Sequence, residues 1–173
     1  MKNICLHFKS FNSKNWFIAA ISIMLISVKS NSQTIIPSFH ISVNKDLLND
    51  SINIQASFSI SAPFVYQGNL NIKYRGYSSY ILYPKKQYKI EIVDENGFEV
   101  NIPLCNLPAE SDWVLSAPYD DKTLMRNVFA YSTSIDIGLY APRTQYCELY
   151  INNNYEGIYV LTESIKRDKY RVN

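Results

Sequence analysis

Apolar residues fall at every second position of residues 52–60 (INIQASFSI). Ile52, Ile54, Ala56, Phe58 and Ile60 share one face, while Asn53, Gln55, Ser57 and Ser59 share the other. That alternation predicts a half-buried strand. Residues 38–44 alternate in the same way, and residues 46–50 supply a polar turn between the two. Further strands are expected at 69–74 and 87–93, separated by the turn-like Arg75-Gly76-Tyr77-Ser78-Ser79, and Asn96-Gly97 marks a hairpin with 98–102 as its return. The apolar-rich stretches 144–151 and 157–163 flank an asparagine-rich turn, and asparagine tolerates positive φ better than other non-glycine residues.

One segment has the other period. Leu124, Val128, Tyr131 and Ile135 recur at helical spacing, with Asp120 or Asp121 placed to cap the start and Gly138 to end it. The order of elements predicts an α+β fold, an antiparallel β-sheet with one main helix against it.

Composition narrows the class. Of 173 residues, 47% are hydrophobic and 18% charged, which excludes general disorder. The chain carries 17 Lys+Arg against 15 Asp+Glu, but Lys2, Lys9, Lys14 and Lys29 lie in the first 32 residues, which hold no acid. The rest therefore holds 13 basic and 15 acidic groups, a net of −2. A nucleic-acid partner is not expected of so balanced a body, because phosphate-backbone affinity needs a clustered cationic excess.

The charge-free run WFIAAISIMLISV at 16–28, preceded by lysines and followed by Ser30-Asn31-Ser32, has the pattern of a secretory signal, so residues 1–32 are expected to leave after export. The run is shorter than the ~20 residues that span a bilayer as a helix, so no stable membrane insertion is expected after cleavage. The expected destination is periplasmic, cell-surface or secreted. Cys5 and His7 would leave with the leader. Cys105 and Cys147 then form one disulfide or stay as two unpaired, partly buried thiols, and the single remaining His40 argues against a zinc cluster or a His-dependent triad.

Three places could carry chemistry. Lys86 has the parity of Tyr88, Ile90 and Ile92, so it either points inward, where it could hold a phosphate, or snorkels past the sheet edge; Lys85 and Lys89 have the opposite parity and are expected on the wet face. Glu163 ends an apolar strand and either sits in water or needs a cationic partner, Lys86 being a candidate. Arg75, Gly76, Ser78 and Ser79 offer a guanidinium, a glycine turn and two hydroxyls, which suit phosphate oxygens as well as an ordinary strand connection.

Five features in order, Arg75-Gly76-x-Ser78-Ser79 followed by Pro84-Lys85-Lys86-x-Tyr88, Ser111-Asp112-Trp113, Leu124-Met125-Arg126-Asn127 and Tyr155-x-Gly157-x-Tyr159-x-Leu161-x-Glu163, resemble the spore-coat protein H (CotH) kinase family over about 72–172. The resemblance implies the N-terminal lobe of an atypical protein-kinase-like fold, ATP with Mg or Mn, and phosphate transfer to protein Ser/Thr. In that picture Arg75, Gly76, Ser78 and Ser79 lie over the nucleotide, Lys86 contacts its phosphates and Glu163 supports Lys86. Asn106 and Asn153 stand where relatives commonly carry glycine. The family's metal-binding and catalytic acids lie beyond the matched region, so the chain is expected to be a truncated kinase fragment, inactive alone, with no catalytic or metal set of its own. The other reading is a non-catalytic surface or coat-associated module whose tyrosines and asparagine-rich turns bind protein or glycan.

Overall fold

The computed structural model describes residues 35–168 together with Arg171 and Val172. The expected leader at 1–32, with Cys5 and His7, lies outside the described residues.

Strand alternation is obeyed closely. The strands are β1 (Ser38–Ser42), β2 (Ile54–Ile60), β3 (Tyr66–Arg75), β4 (Gln87–Val93), β5 (Asp112–Ser116), β6 (Thr144–Ile151) and β7 (Asn154–Glu163). Along β2, Ala56, Phe58 and Ile60 are buried while Gln55, Ser57 and Ser59 are exposed, as their parity dictates. The strand begins two residues later than expected, leaving Ile52 63% exposed.

The expected sheet with a helix against it is not what forms. Neighbouring strands run in the order β1-β2-β3-β4-β5-β7-β6, and β1 then pairs parallel with β6, Phe39 opposite Leu149 and Ile41 opposite Ile151, so the sheet closes on itself as a barrel. Closure brings Phe39, Ile41, Phe58, Leu70, Ile72, Ile90, Trp113, Leu115, Leu149, Tyr159 and Leu161 together inside. Each such side chain contributes roughly 1.5–3 kcal/mol on burial. The inner face is covered by the sheet's own curvature, so no helical layer is needed, and the kinase-lobe architecture of sheet plus main helix is absent from the described residues.

Among the described residues two α-helices decorate the barrel. α1 (Tyr77–Leu82) replaces the turn expected after β3, and α2 (Arg126–Asp136) is the expected helix, starting five residues late. Asp121 serves its start: Oδ2 accepts from Arg126 N–H at 2.9 Å and Oδ1 from the Thr123 hydroxyl at 2.6 Å. The hydroxyl of Thr123, followed by Arg126 N–H, holds the Asp121 carboxyl below its usual range. No residue of α2 is buried, so its apolar spacing does not mark a core-facing stripe.

The return strand expected at 98–102 is reduced to isolated bridges, Val93 to Glu99 and Ile102 to Glu110. Asn106 and Asn153 have φ of 63° and 65°, the left-handed region for which asparagine is suited. Cys105 and Cys147 are buried and free. No helix of the described residues is long and apolar enough to cross a membrane.

Candidate phosphate-binding groove

A pleated sheet closed into a barrel still has an outer face, and its register decides what stands together there. Lys73 of β3 is opposite Lys89 of β4, Lys89 opposite Val114 of β5, Val114 opposite Thr162 of β7, and Thr162 opposite Thr144 of β6. One residue from each of five strands thus forms an outward row. Leu124, Asn127 and Tyr131, from α2 and the segment before it, form one wall of a half-open groove of about 740 Å³ above it. Asp50, Arg75, Gly76, Gln87, Asp112, Ser116, Glu163 and Lys166 also line it, Asp50 making no ion pair with Lys73.

Charge in the groove is organised around Asp112. Its Oδ1 lies 3.0 Å from Lys89 Nζ and its Oδ2 2.8 Å from Lys166 Nζ. Lys166 also reaches Glu110 at 2.6 Å, and Glu110 lies 3.5 Å from the buried Arg171 guanidinium. Burial pushes the Asp112 carboxyl up, but the Lys166 and Lys89 ammoniums outweigh it and hold the group below its usual range. Glu110 behaves alike, burial being outweighed by Lys166, the Ser111 N–H and Arg171. Burial lowers Lys166, yet Asp112 and Glu110 leave it raised. The Ser111-Asp112-Trp113 motif is a sorting point: Asp112 faces out to the lysines, while Trp113 faces in, fully buried, its Nε1–H donating to the Glu110 carbonyl at 3.0 Å.

Lys73 differs from Lys89. It is half-buried, and among the described residues no ion pair or hydrogen bond engages its ammonium. Like charges directly opposite on neighbouring strands repel, and only one of these two is neutralised.

The residues singled out from the sequence are divided between this groove and its surroundings. Arg75, Gly76 and Glu163 line it. Lys86 does not: its Nζ donates to the carbonyls of Tyr80 and Tyr83 at 2.6 and 2.7 Å, closing the C-terminal end of α1. The Ser79 hydroxyl donates to the Gly76 carbonyl at 3.0 Å, and Ser78 is exposed on the outside of the same turn. Glu163 is 2% exposed, its Oε2 accepting from Arg143 N–H at 2.9 Å and its Oε1 lying 3.4 Å from the Arg143 guanidinium. The expected Lys86–Glu163 pair is not formed. Glu163 is level with Trp113, and Trp113 with Ile90, which places it four residues along β4 from Lys86.

Lys85 is not in water either. It lies 4.5 Å above the Tyr159 ring and donates to the Ile158 carbonyl at 2.6 Å. Its ammonium occupies the space beside Gly157, where an added Cβ would come within 3.2 Å. Burial lowers its pKa.

A family model described as CotH kinase protein matches residues 72–173. The chain belongs to the CotH kinase family. Comparison with curated proteins gave no match. Membership suggests a kinase-like function, and the matched region holds most of the groove lining, from Lys73 to Lys166.

The chemistry of a CotH kinase can be tested against these side chains. Lys73, Lys89 and Arg75 suit a polyphosphate. A divalent metal is not suited by the same set: among the described residues no three His, Cys, Asp or Glu converge, Asp112 already meets two ammoniums, and Glu163 is engaged by Arg143. No metal-dependent step is therefore drawn from them. Lys73, Lys89, Asp112 and Lys166 were not assigned to a site from sequence, although Asp112 belongs to the Ser111-Asp112-Trp113 motif and the parity of Lys89 was read. The available signals were the outward parity shared by Lys73 and Lys89, and an aspartate preceding a core tryptophan.

Proposed function

We propose that the groove over β3, β4 and β5 holds the phosphates of ATP, and that the chain is the phosphate-handling part of an exported protein Ser/Thr kinase. The observation that carries this reading is the Lys73 ammonium, standing beside Lys89 in a half-open groove without an ion pair among the described residues. An anion between the two would remove their repulsion. Asp112 fixes Lys89 from one side, leaving its other N–H groups for phosphate oxygens, and Arg75 supplies a planar donor fork at the groove's end. ATP, when bound, supplies the transferable phosphoryl group; the contribution of these residues is to position and neutralise it. Export rests on the signal-like pattern at 16–28, so the acceptor would be a protein met outside the cytoplasm, such as a surface or coat protein.

Photolabelling with azido-ATP tests the reading. Labelled peptides are expected from the groove-lining segments, β3, β4, β5 or residues 124–131, with labelling displaced by unmodified ATP. Displaceable label confined to β1 and β2, or no displaceable label, would contradict it.

A further inference from the structure

The barrel has a second outer side whose chemistry is different. Register aligns Tyr150 of β6 with His40 of β1, His40 with Ser59 of β2, and Ser59 with Gln67 of β3. In the neighbouring row Ser42 stands opposite Ser57, and Ser57 opposite Asn69. These positions carry no Lys, Arg, Asp or Glu, and the nearest charges on this side are two carboxylates at its edges, Glu148 beside Ser38 and Tyr155 and Glu95 in the β4 turn; the same barrel's other side carries Lys73, Lys89, Glu91 and Asp112 at equivalent outward positions. A solvated sheet face ordinarily mixes both charges with its polar groups.

Three further observations belong to this face. It holds a shallow, open depression of about 640 Å³ between Glu95 of the β4 hairpin turn and Asn153 of the β6–β7 turn, floored by His40, Ser57, Gln67 and Asn69. Its polar side chains are free, since Ser42, Ser57, Ser59, Gln67 and Asn69 donate or accept no side-chain hydrogen bond among the described residues. It has an aromatic platform, with the His40 and Tyr150 rings stacked at 4.5 Å and 11° and Tyr155 adjoining Tyr150 at 5.1 Å.

We infer that the outer face of β1, β2 and β3 is a binding surface for a neutral oligosaccharide. Sugar hydroxyls donate and accept at once, and amides and hydroxyls are the side chains that answer both needs without a net charge. The electron-rich face of a stacked aromatic pair suits the C–H side of a pyranose ring. A protein partner fits less well, because interface cores favour large apolar, aromatic and Arg residues, and the floor of this depression offers hydroxyls and amides in their place. A polyphosphate is disfavoured by the lack of Lys or Arg. The inference does not depend on the nucleotide groove, which faces another part of the barrel.

The test is native affinity electrophoresis of the full chain in gels cast with barley β-glucan, xylan, galactomannan or soluble starch, against a gel without glycan. At least one glycan is expected to retard the protein, the retardation being lost in Gln67→Ala/Asn69→Ala and kept in Lys122→Ala, a surface change elsewhere. Both substitutions are exposed or half-exposed, and matching circular dichroism spectra confirm that the fold persists. Unchanged mobility in all four gels, or retardation retained by the double variant, overturns the proposal; either result would leave a protein as the better occupant. Nucleotide binding enters neither readout, so failure here and failure of the groove remain distinguishable.

Discussion

Lys73 and Lys89 stand directly opposite each other on β3 and β4, both facing out, and a carboxylate, Asp112 at 3.0 Å, attends only Lys89. Replacing Lys73 with Met removes the repulsion and keeps the aliphatic stem, so Lys73→Met is expected to be as stable as the wild type or more stable by about 0.2–1 kcal/mol. Urea unfolding measures it, and a clear loss of stability would show that Lys73 has a structural role.

Asp112 holds two ammoniums, so Asp112→Asn is expected to cost about 1–2 kcal/mol in the same measurement, the range for charge-assisted hydrogen bonds reduced for partial exposure. The pH dependence has a definite sign. Asp112 and Glu110 are held below their usual values, so their contribution is complete above about pH 4, the unfolded carboxylate range, and is lost as pH falls through the lowered folded values. Lys166 is raised, so its contribution is present at neutral pH and lost only as pH rises through that raised value. Asp112→Asn should flatten the acid limb of the stability profile.

Lys86 ties α1 to the barrel through the Tyr80 carbonyl of that helix and the Tyr83 carbonyl just after it, and its own carbonyl accepts from the Tyr159 hydroxyl at 2.9 Å. Lys86→Met is expected to lower stability by about 1–3 kcal/mol and to leave nucleotide affinity unchanged. A variant of normal stability that no longer binds nucleotide would restore Lys86 as the phosphate contact.

Gly76 precedes α1 with φ of +80°, and an added Cβ would meet the Ser79 hydroxyl at 2.6 Å. Gly76→Ala should therefore be destabilising by both contact and backbone. Gly76→Ala/Ser79→Ala should recover the contact part only, leaving about 1–2 kcal/mol from the left-handed conformation. Full recovery would mean that the backbone adjusts freely here.

Burial pushes the Cys105 thiol up to about 12, and Cys147 is raised as well. Both should resist a thiol reagent at pH 8 in the native protein and react once it is unfolded in denaturant. Reaction at native rates typical of a free thiol would place at least one of them at the surface.

The strands were legible because period-two alternation is a local property, and β2, β4, β6 and most of β3 follow it. Closure was not legible, since the parallel pairing of Phe39 and Ile41 with Leu149 and Ile151 joins segments over a hundred residues apart. Without closure, an apolar sheet face calls for a cover, and the spacing of Leu124, Val128, Tyr131 and Ile135 invited α2 into that place. The same gap explains the site. Parity correctly put Lys89 on the outer face, but only cross-strand register reveals that Lys73, Lys89 and Asp112 meet. Glu163 did need a partner, and Arg143 supplies it from the residue before β6, a position that sequence spacing does not rank above Lys86.

The central claim is that the groove's unneutralised lysine is an anion site for ATP. Isothermal titration of the full chain with ATP, beside Lys73→Met, tests it most directly. Saturable binding is expected in the wild type, weakened tenfold or more in the variant, about 1.4 kcal/mol, with both proteins equally folded. Binding of equal strength in the two, or none in the wild type with or without Mg²⁺, would contradict the assignment.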